Sequence, residues 1–98
     1  MGTIRLSQTA ITGLNRGYQF YEKKEFGLGE YFKNTLLSEI EGLQVTAGIH
    51  RISHTHHRLI SRVFPFAIYY KVEDDEVIIR AVIDCRRNPD WIRDQLDP

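Results

Sequence analysis

The sequence lacks the features that mark several large classes of protein. Its one cysteine, Cys85, cannot form an internal disulfide, which excludes the disulfide-stapled secreted domains. No apolar run approaches the length of a membrane-spanning helix, and the N-terminus has no apolar core of a signal peptide, so we expect a cytoplasmic protein. Lysine plus arginine and aspartate plus glutamate number 13 each, so the chain has no net charge. It therefore lacks the bulk positive charge of a typical nucleic-acid-binding domain.

The composition is that of an ordinary globular domain. The 98 residues are 42% hydrophobic and 27% charged, which excludes a disordered tail or a fibrous repeat. A chain of this length has room for one hydrophobic core, so we predict a single domain over residues 1–98. Any binding of nucleic acid has to come from a local patch.

Two amphipathic helices are predicted in the first half of the chain, which no proline interrupts. Ser7 is a suitable N-cap, and the apolar spacing after it predicts a helix over roughly residues 8–24. Gly27 supplies a left-handed turn. Apolar residues then recur at helical spacing at Leu28, Phe32, Leu36, Ile40 and Leu43. The tight turn between the two series predicts an antiparallel helical hairpin.

Strands are predicted later in the chain, where the apolar period changes to two. They cover residues 58–64, 66–72 and 77–83, with a further short strand at residues 4–6. The acidic run at residues 73–76 predicts a hairpin turn, and Asn88 with Pro89 predicts the start of a last short helix. The predicted fold class is therefore α+β: an N-terminal antiparallel helical hairpin packed on a small antiparallel β-sheet, with a short C-terminal helix.

Strict alternation assigns the side chains of the strands to the two faces of the sheet. The face turned to the helices is predicted to carry Phe66, Ile68, Tyr70, Val72, Val77, Ile79, Ala81 and Ile83. The opposite face is predicted to carry Ala67, Tyr69, Lys71, Ile78, Arg80, Val82 and Asp84. Arg58 and Arg62 share one face of the preceding strand. If that is the opposite sheet face, the result is a basic surface with aromatic and apolar patches.

Four histidines fall within eight positions: His50, His54, His56 and His57. His54 and His56 are expected on one face of a strand, where they offer two nitrogens to a metal. No cysteine or acidic residue in this stretch completes a ligand set, so we predict no metal and no other cofactor. His57 is a candidate general acid or base, although its partner is not visible in the sequence.

Cys85 stands beside Arg86 and Arg87. Two guanidinium groups favour the thiolate form of a nearby cysteine. A nucleophile also needs a base and an oxyanion site, and neither is recognisable in the sequence. We therefore interpret Cys85 as structural.

Arginines cluster in the second half of the chain, at positions 58, 62, 80, 86 and 87. Arginine is suited to bidentate recognition of phosphate or carboxylate. The alternative is that these are solvated strand charges paired with the acidic residues of the 73–76 turn, and composition alone favours it. No glycine-rich phosphate loop or zinc-finger spacing is present.

The segment from Arg58 to Trp91 resembles a known family. It runs as Arg58-Leu59-Ile60-Ser61-Arg62, then Pro65-Phe66-Ala67-Ile68-Tyr69-Tyr70, a charged hairpin, a strand, and Asp84-Cys85-Arg86-Arg87-Asn88-Pro89-Asp90-Trp91. This order is similar to that of the RelE/ParE toxin superfamily of type II toxin–antitoxin systems, often labelled plasmid stabilisation proteins. The resemblance implies a small bacterial toxin that a cognate antitoxin protein holds inactive. RelE-like members cleave messenger RNA on the ribosome, and ParE-like members poison DNA gyrase.

Three positions favour the ParE-like branch. RelE-like nucleases carry an arginine where this chain has Ala67, a tyrosine near the C-terminus where it has Trp91, and a histidine before the arginine pair where it has Asp84. Losing an arginine from a phosphoryl-transfer site removes charge stabilisation that the reaction needs. The resemblance therefore implies a ParE-like toxin that lacks enzymatic activity. The alternatives are a ribosome-dependent mRNA endonuclease and an inert module that only binds its antitoxin.

The resemblance also implies where the site lies. The predicted target-binding residues are Arg58, Arg62, Arg86, Arg87 and Trp91. Catalytic residues are unknown, with Arg58, Arg62, Arg86, Arg87 and His57 as candidates. The expected partners are the antitoxin and either DNA gyrase or ribosome-bound mRNA as the target, without a membrane.

Overall fold

A computed structural model describes residues 2–97, so the two terminal residues of the predicted 1–98 domain lie outside the described range. The elements are β1 (Thr3–Leu6), α1 (Gln8–Lys24), α2 (Leu28–Glu41), α3 (Leu43–Thr46), β2 (Ile52–Ser53), β3 (His56–Ile60), β4 (Phe66–Glu73), β5 (Glu76–Asp84) and α4 (Pro89–Leu96). Over this range, no helix combines the length and the apolar character needed to cross a membrane.

The predicted α+β fold is confirmed, with one difference in the sheet. The strands form a single sheet in the order β1-β5-β4-β3-β2. Three of the four strand pairs are antiparallel, as expected. The short first strand pairs parallel to β5, so the sheet is mixed rather than purely antiparallel. The α1–α2 hairpin covers one face of the sheet, and α4 lies on the other.

The helical hairpin begins and turns where the sequence predicts. The Ser7 hydroxyl accepts a hydrogen bond from the Ala10 N–H at 3.1 Å and so caps α1. Gly27 has a φ of 88°, the left-handed conformation that suits glycine. The Glu22 carboxylate ties this turn by accepting from the Gly27 and Gly29 N–H groups at 3.0 and 2.9 Å. The second helix ends at Glu41, two residues before the predicted limit.

Glycines inside α1 allow it to lie unusually close to its neighbours. A Cβ on Gly13 would stand 2.2 Å from the Val82 carbonyl oxygen, and one on Gly17 would stand 2.4 Å from the Phe32 ring. Each glycine costs about 1 kcal/mol of helix propensity relative to alanine. The close approach of α1 to β5 and α2 is what requires them.

The helix-side core is aromatic at its centre. Phe32 is fully buried, and its ring centroid lies 5.1 Å from that of Phe64 and 4.8 Å from that of Phe66. Tyr21 joins the same cluster, with its ring 5.2 Å from Phe32. Edge-to-face and tilted pairs of this kind add to the stabilisation from buried area.

A β-bulge in β5 overturns part of the predicted face assignment. Tyr69 pairs with Ala81 but Tyr70 pairs with Ile79, so Arg80 has no cross-strand partner. One extra residue reverses the parity of every residue after it. The Ser7 hydroxyl donates to the Arg80 carbonyl at 2.9 Å, which satisfies the backbone at the bulge.

The side chains after the bulge therefore point opposite to the prediction. Val77 and Ile79 belong to the helix-side core as predicted, but Ala81 and Ile83 pack with α4, and their predicted placement is wrong. Strict alternation places Val82 on the far face, whereas it joins the helix-side core. Asp84 pairs with Phe66, a helix-side residue, so its predicted face is wrong as well.

The last helix covers the second face of the sheet. Asn88 caps it by accepting from the Asp90 N–H at 2.7 Å, and Pro89 occupies its first turn as predicted. Leu96 and Ile92 are both buried. Helices thus pack on both faces of the sheet, α1 and α2 on one and α4 on part of the other.

The core assignment predicts the effect of truncation. Phe32→Ala and Ile79→Ala each remove a fully buried side chain and should lower the free energy of unfolding by about 2–5 kcal/mol. Urea denaturation measures the change. Val45→Ala, at a side chain 80% exposed, is the control. A change below about 0.5 kcal/mol at both core sites would contradict the assignment.

The close approach of α1 to β5 predicts opposite outcomes for two glycine substitutions. Gly13→Ala should destabilise, because its Cβ meets the Val82 carbonyl. Gly42 has a right-handed helical conformation, and a Cβ added there would lie 3.4 Å from its nearest neighbour. Gly42→Ala should therefore be neutral or stabilise by up to about 1 kcal/mol. Thermal unfolding of both variants separates them, and equal melting temperatures would refute the close approach.

Candidate functional site

Three chain segments meet at one end of the sheet. They are the end of β3, the loop of residues 61–65 and the segment that follows β5. The Cys85 N–H donates to the Pro65 carbonyl at 2.8 Å and so joins the last two segments. We call the side chains of Arg58, Asp84, Arg86, Arg87 and Trp91 at this end the arginine surface.

Arg58 reaches the arginine surface from the α4 side of the sheet. It pairs with Tyr69 across β3 and β4, and its Nε donates to the Tyr69 hydroxyl at 3.2 Å. Its Nη2 lies 3.9 Å from the Cys85 sulfur. Cys85 is half-buried and packs against the core beneath α4, in keeping with its structural interpretation.

Arg86 is bound to Asp84 by two side-chain hydrogen bonds. Its Nε donates to Oδ1 at 2.9 Å and its Nη2 donates to Oδ2 at 2.7 Å, while its backbone N–H also donates to Oδ1 at 2.8 Å. The Arg86 guanidinium bond is the main reason that the pKa of Asp84 is lowered, and it also raises the pKa of Arg86. The Asp84 charge is therefore compensated within the arginine surface.

Arg87 lies on the aromatic face of Trp91. Its guanidinium carbon is 4.1 Å from the ring centroid, a cation–π contact. The cap at Asn88 and Pro89 places Trp91 in the first turn of α4, where it can receive Arg87. This contact holds the guanidinium in place without neutralising it.

A cleft beside the arginine surface brings in residues that sequence reasoning missed. It encloses about 210 Å³ between α1 and α4, with Arg16 and Phe20 on one side and Arg87 and Trp91 on the other. We call it the α1–α4 cleft. Arg16 stands at helical spacing from Phe20 and between two glycines, and this pattern is the sequence signal that points to a close-packed helix face.

The structure removes the strand alternation that predicted Arg62 beside Arg58. The strand prediction of residues 58–64 is wrong at its end, because β3 stops at Ile60. The Ser61 hydroxyl accepts from the Val63 and Phe64 N–H groups and so forms a loop. Alternation does not extend through this loop, and the Arg62 N–H donates instead to Glu39 of α2 at 2.9 Å.

His57 lies on the other face of the sheet from Arg58. It pairs with Tyr70, its ring stacks on that of Tyr70 at 5.0 Å, and its Nδ1 lies 2.8 Å from the His50 carbonyl. His50 in turn bonds the Tyr70 hydroxyl, which also accepts from the Gly48 N–H at 3.0 Å. Burial lowers the pKa of His50 and raises that of Tyr70. This cluster ties the loop before β2 to the sheet, apart from the arginines.

His54 and His56 do not share a strand face, so that prediction is wrong. His54 and Thr55 form the two-residue turn between β2 and β3, with φ of 53° and 63°. His56 is buried, its Nδ1 lies 2.8 Å from the His54 carbonyl, and its Nε2 has no hydrogen-bond partner among the described residues. Within residues 2–97, no group of three or more His, Cys, Asp or Glu side chains is placed to hold a metal.

The acidic hairpin does not neutralise the arginine surface. Glu76 forms an ion pair at 3.1 Å with Arg5 of β1, the strand at the edge of the sheet. In the part of the chain that the structure describes, no salt bridge joins the residue 73–76 acids to Arg58, Arg62, Arg86 or Arg87. The pairing alternative favoured by composition is therefore not what the fold adopts.

The buried histidine predicts a pH dependence. Burial lowers the pKa of His56, so the unfolded chain takes up a proton first as the pH falls. The contribution of neutral His56 to the free energy of unfolding is complete above about pH 6.5. Below that pH it is lost, at up to about 1.4 kcal/mol per pH unit. Urea denaturation from pH 7.5 to 5 should show this slope, reduced in His56→Gln and unchanged in the neighbouring Ser53→Ala. An equal slope in His56→Gln would contradict the assignment.

Comparisons with known proteins agree with this fold. No family model matches the chain, and no curated protein matches it. A chain from a solved structure described as the chromosomal ParDE TA system from P. aeruginosa matches with a TM-score of 0.77 at 20% sequence identity. The match covers 86% of this chain and 96% of that one. The fold that the resemblance implies is therefore the fold observed.

Proposed function

We propose that this protein is the toxin component of a type II toxin–antitoxin system, ParE-like, and neutralised by a cognate antitoxin. The observation that carries the proposal is the likeness in fold to the P. aeruginosa ParDE chain along most of both chains. The order of motifs from Arg58 to Trp91 supports the same assignment independently. In this proposal the protein acts in the cytoplasm on an essential target.

We propose DNA gyrase as the target class rather than ribosome-bound mRNA. Ala67 is 1% exposed and offers no charge where a RelE-like nuclease carries an arginine. Trp91 has no hydroxyl, and its ring is covered by Arg87. Asp84 is tied to Arg86 and cannot replace a general-base histidine while that bond holds. These contacts support a binding surface over a catalytic one.

The arginine surface is the proposed target-binding site. Arg58, Arg86 and Arg87 approach one end of the sheet from both of its faces, joined through Cys85 and the segment around it. Guanidinium groups held by Tyr69, Asp84 and Trp91 lose little further freedom on binding, which favours recognition of an acidic surface. We leave His57 out of the proposed site because it lies on the other face of the sheet, and Arg62 because its backbone is bonded to Glu39 of α2.

The test of the site is a double substitution. Induced expression of the wild-type chain in a bacterial host should arrest growth, and co-expression of the antitoxin should relieve the arrest. Arg86→Ala with Arg87→Ala should abolish toxicity with a nearly unchanged melting temperature, because both side chains are exposed. Arg5→Ala with Arg93→Ala is the matched control, since both are exposed arginines outside the site.

Contrary results have separate meanings. If the Arg86/Arg87 double variant remains toxic, the proposed site is refuted. If its melting temperature and its toxicity both fall, these arginines are structural. Inhibition of gyrase supercoiling by the purified chain supports the target class, and mapped cleavage of ribosome-bound transcripts replaces it with the RelE-like alternative. A wild-type chain without toxicity marks an inert antitoxin-binding module.

A further inference from the structure

We propose that the α1–α4 cleft receives a segment of a partner protein that presents a carboxylate beside a bulky apolar side chain. The inference rests on the proposed function only in taking the partner to be a protein. The apolar side chain enters the cleft, and the carboxylate is held between Arg16 and Arg87.

The charges of the cleft favour an anionic group. The Asp84 carboxylate at its rim is compensated by the two Arg86 hydrogen bonds. Arg16 and Arg87 also line the cleft, and within residues 2–97 neither makes a salt bridge or a side-chain hydrogen bond. Arg87 acts on Asp84 only through its charge, which helps to lower the pKa of that carboxyl. Among the described residues, the donors of both guanidinium groups therefore remain open to a ligand. A carboxylate satisfies such donors with charge-assisted hydrogen bonds.

The remaining lining is apolar and partly exposed. Phe20 is 48% exposed although it is a large aromatic side chain, and Phe66 and Val82 form the buried floor. The volume of about 210 Å³ is several times the share of one water molecule, roughly 30 Å³. It therefore admits a bulky side chain. Covering Phe20 removes apolar area from water, which favours binding.

The floor of the cleft is closely packed. The contact between Gly13 and the Val82 carbonyl sets how closely α1 approaches β5. The stack on Trp91 fixes Arg87 on the opposite wall. Arg87 and the floor are therefore already in place, so little of their conformational entropy is lost on binding.

A nucleic acid fits this cleft less well than an acidic peptide. The face of Trp91 that a base would stack on is occupied by Arg87. Single-stranded nucleic acids are held by a continuous basic groove with open aromatic faces. The cleft offers two guanidinium groups and no continuous basic groove, on a chain without net charge.

The experiment is a titration of the 15N-labelled full chain, followed by NMR at the Gly13 and Gly17 amides and the Trp91 indole N–H. The probes are the capped peptides Ac-Ala-Phe-Glu-Ala-NH2, Ac-Ala-Phe-Gln-Ala-NH2 and Ac-Ala-Ala-Glu-Ala-NH2. Inorganic phosphate and the oligonucleotide dT10 are titrated separately as ligands of a different chemical class. The Phe-Glu peptide should shift these signals saturably. The Phe-Gln and Ala-Glu peptides should bind about tenfold more weakly, the loss of about 1.4 kcal/mol.

Variants locate the charge. Arg16→Gln and Arg87→Gln should each weaken the Phe-Glu peptide about tenfold and remove its advantage over the Phe-Gln peptide. Arg93→Gln, an exposed arginine on α4 paired with Asp90, should bind like the wild type. Unchanged spectra outside the cleft show that each variant is folded.

The inference fails if the Phe-Glu and Phe-Gln peptides bind equally, if no peptide shifts the cleft signals, or if dT10 or phosphate shifts them where the Phe-Glu peptide does not. Growth arrest is measured separately. If the chain is toxic but binds no peptide, the cleft proposal is refuted and the proposed toxin function stands. If the chain binds the peptide but is not toxic, the cleft proposal stands and the toxin function is refuted.

Discussion

The extra residue in β5 is the constraint on which the rest of the architecture depends. A nine-residue strand with strict alternation would offer one wholly apolar face and one mixed face, on which charged residues alternate with Ile78 and Val82. The unpaired Arg80 divides β5 into two halves of opposite parity, so the first half packs under α1 and α2 while Ala81 and Ile83 pack under α4. One strand thereby serves two cores. Without the bulge, Arg80, Val82 and Asp84 would face α4 in place of Ala81 and Ile83.

Ser7 couples this bulge to the start of the helical layer. Its backbone N–H donates to the Ile79 carbonyl, its hydroxyl donates to the Arg80 carbonyl, and its oxygen accepts from the Ala10 N–H. A single side chain thus satisfies the first turn of α1 and the irregular backbone of β5. This fixes the helix relative to the strand, and Gly13 then brings the two into close contact. The width of the α1–α4 cleft follows from that geometry.

The reversed parity also decides the electrostatics of the site. Because Asp84 falls on the helix side, Arg86 follows it there and compensates its charge, while Arg87 turns to Trp91 on α4. Arg58 approaches from the opposite face through Tyr69. The result is a surface in which each proposed binding guanidinium has a positioning partner. The ion pair with Asp84 offsets the charge of Arg86, whereas the cation–π contact with Trp91 leaves the charge of Arg87 in place.

The sequence by itself determined the elements, because local spacing, caps and turn residues act over a few positions. The apolar period, the Ser7 cap, the left-handed Gly27 and the Asn88-Pro89 helix start all predict what the structure contains. It also determined that Arg58, Arg86, Arg87 and Trp91 are binding candidates. Only the tertiary structure decided which faces these elements turn to each other. The bulge, the loop at Ser61 and the parallel β1 each depend on contacts between residues far apart in the chain. A one-residue shift in strand pairing leaves no trace in local periodicity, yet it reverses the face of every side chain beyond it.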